Sequence, residues 1–264
     1  MLTQIMIAAE AAVAAAPAAQ KSAYGVGPMM SSAFKEGNYL PIATATILAL
    51  MFFFTLYILV TKLLEQNKVI AQGKSIGAAF WAAPSLKDGA SKLGKDSAYR
   101  QIVDDGLMAE EQHGKLTNPV DQHDWTVGAL TRSQAAINSE LGGGLAFLAT
   151  VGSTAPFIGL FGTVVGILSA LVKIGAAGQA SIDAVAGPVG EALYMTAFGL
   201  LVAVPAVLAF NWLQRRNKAI AEDLASFSTS IYGYMGSGGA LRPTVRSAAP
   251  ARAAKPAAPM APKA

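Results

Sequence analysis

The chain has 264 residues, of which 53% are hydrophobic and only 14% are charged, whereas soluble domains carry about 25% charged residues. Together with a mean hydropathy of +0.42, this composition excludes a disordered chain and a coiled coil and indicates a membrane protein. Cysteine is absent, and the two histidines, His113 and His123, lie in the most polar part of the chain. We therefore expect no disulfide, no metal site and no other cofactor, and the net charge of +4 gives no reason to expect a nucleic-acid partner.

Residues 1–37 precede the first apolar run and form an N-terminal segment that we expect on the periplasmic side. Its first part, residues 1–20, is apolar and rich in alanine, as a cleaved signal sequence would be. Against that interpretation, no Lys or Arg stands at its start and Glu10 interrupts it. A short external amphipathic segment is an equally good interpretation, and both remain open.

Three apolar runs are long enough to cross a bilayer, which requires roughly 20 residues of helix. Residues 38–61 and 141–172 contain no charge, and the third run, residues 188–214, contains only Glu191. The second run holds 32 residues. That is about 48 Å of helix, so one end should project into water or break at Gly142–Gly144. The sequence therefore predicts an all-α membrane protein with three transmembrane helices.

The positions of lysine and arginine predict the orientation of the spans. Basic residues cluster after the first and third spans, whereas the opposite ends have only Lys35 and Lys173 nearby. We therefore expect the N-terminus and the loop 173–187 on the periplasmic side, and the segment 62–140 and the C-terminus in the cytoplasm.

The segment 62–140 carries nine basic and ten acidic residues. Apolar residues in it recur near helical spacing, at Tyr99, Ile102, Val103 and Leu107. A second helix is expected to begin near Asp124, a plausible cap residue, and to run into the second span. With residues 215–235 after the third span, these segments predict long cytoplasmic helical extensions; a solvated loop folded on itself is the plainer alternative.

Residues 236–264 are rich in alanine and proline and carry five basic residues and no acidic residue. Such a segment cannot bury enough apolar surface to fold, so we expect a disordered tail. Its charge could favour anionic lipid headgroups, but an inert solubilising tail is the preferred interpretation.

Helical spacing places small residues on one face of the second span and on one face of the third. The first face comprises Gly152, Pro156, Gly159, Thr163, Gly166 and Ala170. The second comprises Ala192, Thr196, Gly199, Ala203 and Ala206. Gly162 adds a small-xxx-small pair with Gly166. Small faces permit close approach of helices in lipid, and for the glycines alone helix packing is the favoured explanation.

Each face carries one threonine, and the third span carries one carboxyl group. Thr163 and Thr196 fall at similar depths near the middle of the membrane, where a hydroxyl can relay a hydrogen bond, although it more often bonds its own helix. Glu191 is a candidate because an ionisable group within a span is costly. It lies in the first turn if the helix starts at Pro188 and several turns in if the helix starts near Ser181; the sequence leaves both open.

Two motifs carry a resemblance to a known family. The segments STAPFIGLFGTVVGILSAL and GPVGEALYMTAFGLLVAVPAVLAFNWLQRR, which contain these candidates, resemble the MotA/TolQ/ExbB proton channel family and are most similar to its ExbB branch. The resemblance is strong over roughly residues 124–230. The family usually has Trp where this chain has Val165, a departure that leaves the polar positions unchanged.

The resemblance implies a motor subunit in the cytoplasmic membrane. Members of the family form a ring, described as a pentamer, around the single membrane helices of a partner, ExbD, whose aspartate carries protons inward. The motion is passed to TonB, which powers uptake through outer-membrane receptors. Thr163 and Thr196 match the pore-facing threonines and Glu191 matches the membrane glutamate. The small faces would then leave room for the partner helix.

Other interpretations remain open at this point. A TolQ-like motor subunit for envelope integrity has overlapping motifs, and a passive membrane assembly scaffold would use the glycines only for packing. A flagellar stator subunit fits less well, because that branch has four spans. A membrane enzyme is not expected, because Ser153 has no histidine within the membrane to serve as its base.

Overall fold

The structure, a computed structural model, describes residues 39–76, 80–117, 121–177 and 182–242. Six helices are delimited within these residues, which contain no strand: α1 (Tyr39–Ser75), α2 (Leu86–Ser91), α3 (Ala98–His113), α4 (Gln122–Gly142), α5 (Leu145–Ala177) and α6 (Ile182–Gly236). The all-helical prediction is therefore confirmed. The predictions for residues 1–37, including the possible signal sequence, and for the tail beyond Arg242 lie outside the described residues.

Three stretches of helix are long and apolar enough to cross a membrane. They are Tyr39–Ser75, Gln122–Val172 and Ala192–Gly236, and their most apolar windows have mean hydropathies of 2.3, 2.1 and 2.1. The predicted three-span membrane protein is confirmed by this count within the described part of the chain.

The contacts divide the chain into two compact units. Among the described residues, the membrane unit comprises those within 39–63 and 143–215, and the extension unit comprises those within 64–142 and 216–242. Helices α1 and α6 each contribute one part to either unit, whereas α5 lies entirely in the membrane unit.

The membrane unit is held together by two apolar clusters in which α1, α5 and α6 all take part. The first is built around the buried residues Leu48, Val151, Ala155, Val202, Ala203 and Ala206. The second is built around Leu145, Leu148, Ala209 and Leu213, with Ile58, Leu59 and Leu63 of α1 packed against it. The opposite faces of the same helices are apolar and exposed, with Phe157 70% and Leu208 66% accessible. Exposed apolar surface of this extent fits contact with lipid or with further membrane helices.

The second apolar run is interrupted near its start by a two-residue turn. Helix α4 ends at Gly142 and α5 begins at Leu145, so the break falls in the glycine segment where the excess length of the run led us to expect one. Gly144 has φ +80°, in the left-handed region that side chains other than glycine rarely adopt. A Cβ at Gly144 would also lie 3.1 Å from Cγ2 of Ile58.

The third span continues as one helix far beyond the bilayer. Helix α6 has 55 residues, so the predicted span 188–214 and the predicted helix 215–235 are parts of one element. Of the loop predicted at 173–187, residues 173–177 belong to α5 and residues 182–187 to α6, and residues 178–181 lie outside the described part of the chain. Continued helix satisfies backbone hydrogen bonds that an irregular chain would leave unpaired near the membrane.

The extension unit has a conventional buried core to which α1, α3, α4 and α6 contribute. The predicted apolar face of α3 is buried, since Ile102 and Val103 are inaccessible and Leu107 packs against the core. Helix α4 begins at Gln122, two residues before Asp124 and therefore near the expected start. The side chain of Asp121, not of Asp124, accepts a hydrogen bond of 2.9 Å from the backbone N–H of His123, and Asp124 lies in the first turn.

Side-chain amides join three helices of the extension unit. The buried Gln66 of α1 donates through Nε2 to Oδ1 of Asn217 in α6 over 2.7 Å. Asn217 in turn donates through Nδ2 to the carbonyl of Leu141 in α4 over 2.9 Å. Directional bonds of this kind set the register of α1, α4 and α6, which apolar contacts alone do not specify.

We expect Gly144→Ala to destabilise the protein by about 1–2 kcal/mol, because the Cβ of alanine crowds the backbone in the left-handed conformation that this turn requires. Gly142→Ala is the matched control, since a Cβ there meets nothing within 4 Å and the residue is helical. The free energy of unfolding in detergent, measured for both variants, checks the prediction; equal stability of the two variants would contradict it.

Burial, and to a smaller extent the nearby carboxylate of Asp223, raise the pKa of Tyr99 from 10.0 to about 12. A raised pKa means that the folded state holds the phenol proton more tightly than the unfolded state does. Its stabilising contribution is therefore complete below pH 10 and is lost as the pH rises through about 12. Tyr99→Phe should show a smaller alkaline loss of unfolding free energy than the wild type over that interval, and Tyr39→Phe, at an exposed side chain, should show the wild-type loss.

Candidate functional site

The backbones of α5 and α6 touch at one pair of glycines. A Cβ built on Gly159 would lie 2.6 Å from the carbonyl oxygen of Met195 and 3.0 Å from Cα of Gly199. A Cβ on Gly199 would lie 2.7 Å from the carbonyl oxygen of Ala155. Because these neighbours are backbone atoms that cannot rotate away, any larger residue at either position would force the two helices apart.

The other small residues predicted for these faces lie at contacts on either side of the glycine pair. A Cβ on Gly166 would lie 3.1 Å from Cβ of Ala192, and one on Gly152 would lie 2.5 Å from Cγ2 of Val207. Pro156 contacts Gly199, Gly162 lies against Met195, and Ala203 is part of the buried apolar cluster. Ala170 and Ala206 are buried as well, so the ten small residues predicted for these faces lie at helix contacts or are buried within the membrane unit.

The expectation that these faces leave room for a foreign helix stays a prediction beside this packing. Within the chain the two small faces pack against each other, so the space along the glycine line is filled by the chain itself.

The close approach brings the two predicted threonines together. Thr163 is buried, and its Oγ1 forms a hydrogen bond with Oγ1 of Thr196, which is half-buried. The Thr163 hydroxyl also lies 3.1 Å from the carbonyl oxygen of Gly159 in its own helix and 3.1 Å from that of Ala192 in α6. The bonding of a threonine to its own helix, which the sequence suggested, is therefore present together with a bond across the seam.

This geometry allows the hydroxyl pair to exist with two proton arrangements. A hydroxyl has one proton, so Thr163 can donate either to a neighbouring carbonyl or to Thr196. In the first arrangement Thr196 donates to Thr163; in the second, the proton of Thr196 is free to donate to another group. The second arrangement therefore leaves the Thr196 hydroxyl to donate to a group outside the pair.

A third threonine, from α1, lies close to this pair and was missed by the sequence analysis. The buried Thr44 donates to the carbonyls of Leu40 and Pro41 in its own helix, and its Oγ1 is 3.8 Å from Sδ of Met195. A Cβ on Gly162 would lie 3.2 Å from the same oxygen. One signal was available: Thr44 and the fully buried Thr55 are 11 residues apart, which is three helical turns and therefore one face.

Glu191 lies within α6 rather than in its first turn. The helix begins at Ile182, so of the two possibilities left open by the sequence the earlier start is the observed one. The side chain of Glu191 is outside the described residues. No group of three or more His, Asp or Glu side chains that could bind a metal occurs in the part of the chain that the structure describes.

Residues 95–226 match the sequence profile of the MotA/TolQ/ExbB proton channel family. The match includes Thr163, Thr196 and Glu191. The chain belongs to this family. It is accordingly a multi-pass inner-membrane protein of the ExbB/TolQ type and a component of proton-channel transport systems.

Relatives from two branches of the family are similar to the chain. Biopolymer transport protein ExbB of Xanthomonas campestris pv. campestris (strain B100) is 34% identical over 92% of this chain and 100% of its own length. Its namesake in Neisseria meningitidis serogroup A is 34% identical over 75% of this chain and 93% of its own. The Tol-Pal system protein TolQ of Haemophilus influenzae is also 34% identical, but over 61% of this chain and 73% of its own length.

The chain has no cysteine, so every thiol detected in a double-cysteine variant comes from the two introduced residues. We expect Thr163→Cys combined with Thr196→Cys to form a disulfide within one chain on mild oxidation, because the two side chains are in contact. Thr163→Cys with Leu201→Cys is the control, since Leu201 is 57% exposed, and should not cross-link within a chain. Thiol labelling before and after oxidation measures the result. Two free thiols in the oxidised Thr163/Thr196 pair would contradict the packing.

Proposed function

We propose that this protein is an ExbB-like subunit of a proton-driven motor in the inner membrane, which together with an ExbD-like single-span protein energises TonB-dependent transport across the outer membrane. The hydrogen-bonded pair of Thr163 and Thr196 is the observation that carries the proposal. It is a polar, reversible contact between two otherwise apolar spans, as a step in a proton path requires.

The scarcity of carboxylates in the spans supports a partner whose membrane helix supplies the proton-binding carboxyl group. A continuous proton path needs a group that binds and releases the proton, and threonine hydroxyls do not ionise at physiological pH. The runs 38–61 and 141–172 contain no carboxylate, and the third span contains only Glu191. We assign Thr163 and Thr196 as hydrogen-bonding relays next to an aspartate of the ExbD-like partner. Glu191 then serves as a second carboxyl on the path or as a group that stabilises the ring.

The exposed apolar faces of the membrane unit support assembly with further helices. Phe157, Leu160 and Val164 of α5 are each more than half exposed, as are Leu201 and Leu208 of α6. We propose that copies of this chain form a ring, a pentamer as in the family, with part of these faces between subunits and the rest against lipid. The N-terminus is then periplasmic and the C-terminus cytoplasmic.

The extent of similarity favours the ExbB branch over the TolQ branch. Identity is the same, at 34%, but the Xanthomonas relative named as a biopolymer transport protein matches 92% of this chain, and the Haemophilus Tol-Pal relative matches 61%. A TonB-like protein is accordingly the proposed receiver of the motion. Rescue of siderophore-dependent growth in a strain lacking its own ExbB would support this assignment, and rescue only of a TolQ-deficient strain would overturn it.

Replacing either relay hydroxyl by a methyl group tests the path. We expect Thr163→Val and Thr196→Val to reduce proton flux of the complex with ExbD in liposomes by roughly 10²-fold. Protein levels should hold, since loss of one such bond in a membrane costs about 0.6 kcal/mol. Thr163→Ser keeps the hydroxyl and should retain flux. Thr150→Val is the matched control, because Thr150 is exposed and bonds only the carbonyl of Ala146 in its own helix.

The passive scaffold is distinguished from the motor by the same assay. A scaffold predicts no pH-dye signal from liposomes that contain the complex and normal growth when Glu191 is changed to Gln. The motor predicts flux in the wild type and a loss of flux in Glu191→Gln with unchanged copurification of the ExbD-like protein. Full flux in both threonine variants would remove the relay role even if the complex assembles.

A further inference from the structure

A groove of about 270 Å³ lies between α3 and α4 on one side of the extension unit. Its lining includes Asp105, Met108 and Gln112 of α3 and Arg132 of α4. Met108 is 55% exposed although it lies outside the apolar spans. Methionine and arginine are enriched where protein surfaces bind one another, so this side of the unit has the composition of an interface.

Arg132 is a free cation at this groove. It is the only Lys or Arg of α4, and its side chain is exposed. It forms no ion pair in the described part of the chain, not even with Asp105, which lines the same groove. A guanidinium group of this kind is suited to bind a carboxylate supplied by another molecule.

A pair of adjacent carboxylates, Glu222 and Asp223, lies on α6. They are the only charged residues of this helix between Lys218 and its end at Gly236, and both are exposed. Neither forms an ion pair in the described residues, and neither Lys218 nor Lys74 of α1 does so with them. The carboxylate pair is therefore available to a cation from outside the chain.

The carboxylate pair and Arg132 are on different sides of the extension unit. The four long helices follow one another around the core in the order α1, α3, α4 and α6, and α6 returns to α1. Arg132 lies at the α3–α4 groove, whereas Asp223 lies on the side of α6 toward α1. Two turns before Asp223, Arg216 donates from its guanidinium to Oδ1 of Asn67 in α1 over 2.6 Å. Groups on opposite sides of the unit cannot pair within one chain.

The opposite charges nevertheless lie at nearly the same level along the helices. Hydrogen bonds join α4 to α6 at Leu141 with Asn217 and at His123 with Tyr232. The midpoint of the α4 segment between these bonds is Arg132, and the midpoint of the α6 segment falls one to three residues after the carboxylate pair. The difference in level is about 2–4 Å, which a flexible arginine side chain can span.

A ring places groups of equal level from neighbouring copies next to each other. Rotation about an axis perpendicular to the membrane keeps every residue at its level, and a head-to-tail contact joins one side of a copy to the opposite side of the next. Arg132 of each copy then meets the carboxylate pair of its neighbour. A second copy supplies a partner for both unpaired groups at once, whereas any other single partner has to supply a cation on one side and a carboxylate on the other.

We propose that the α3–α4 groove of one copy receives α6 of the next copy, with Arg132 paired to Glu222 and Asp223 of that neighbouring copy. This inference rests on the ring of the proposed function and assigns the surfaces by which its extension units meet. Small residues beside the carboxylate pair, among them Ala219 and Ser226, permit close approach of the helix to the groove. The ion pair fixes which sides meet and at which level, as charged groups at interfaces generally do.

Cross-linking in native membranes tests the contact, because the chain has no cysteine of its own. The variant combines Arg132→Cys with Glu222→Cys in the full-length protein, expressed together with the ExbD-like partner. A short bismaleimide is used, since an arginine–glutamate pair is longer than a disulfide permits. We expect a ladder of cross-linked chains up to the full ring on a denaturing gel. Lys87→Cys with Glu222→Cys is the control and should give no ladder, because Lys87 is an exposed lysine of α2 outside the groove.

Charge reversal tests whether the pair stabilises the ring. Arg132→Glu should raise the protein concentration at which half of the complex dissociates, measured by native mass spectrometry, by about tenfold or more. Adding Glu222→Arg and Asp223→Arg to this variant should restore most of the loss. Lys87→Glu makes the same change in charge outside the groove and should assemble as the wild type does. Rescue by the compensating change also shows that the first variant is folded.

The outcomes separate this inference from the proposed function. A ladder together with rescue supports both. A wild-type ring that gives no ladder, or one that Arg132→Glu does not weaken, overturns the assigned contact and leaves the ring and the motor standing. A wild type that stays monomeric in native mass spectrometry overturns the contact and the proposed ring together.

Discussion

The candidate site depends on one steric constraint, the contact between the backbones of α5 and α6 at Gly159 and Gly199. In lipid the hydrophobic effect does not drive apolar helix faces together. Two membrane helices are therefore held together by close packing and by the few polar bonds between them. The absence of two side chains allows the close packing. It also brings the hydroxyl of Thr163 within bonding distance of Ala192 and Thr196. The polar contact is thus a consequence of the glycine contact.

The two units satisfy their polar groups in different ways. In the membrane unit every described threonine hydroxyl for which a bond is given donates to a helix carbonyl or to another hydroxyl, and the only carboxylate of the spans is Glu191. In the extension unit amides cross between helices, as in Gln66 and Asn217, and the buried hydroxyls of Ser97 and Ser133 have no hydrogen-bond partner.

The number of spans and the buried face of α3 could be predicted, because the absence of charge and the helical spacing of apolar residues determine them. For Thr163 and Thr196 the sequence predicted similar depths, but not the hydrogen bond between them. The role of the small faces was predicted only in part. Spacing shows that Gly159 and Gly199 lie on a face, but not whether the face meets its own chain or another. Thr44 was missed because its contact is made across helices 151 residues apart. The start of α4 was predicted to within two residues, but Asp121 rather than Asp124 accepts the bond at its beginning, and only the fold shows which of the two does so.

The proline within α5 has a mechanical consequence. Pro156 has no N–H, so the carbonyl of Gly152, four residues earlier, loses its usual donor. At that level the helix is held by one bond fewer, and its bending stiffness is lower there than above or below. In hydrocarbon no water replaces the missing donor, so the helix bends at this level more readily than elsewhere, without breaking any further bond. Helix α5 is therefore more easily bent near Pro156, two turns from the Thr163 hydroxyl, than along the rest of its length.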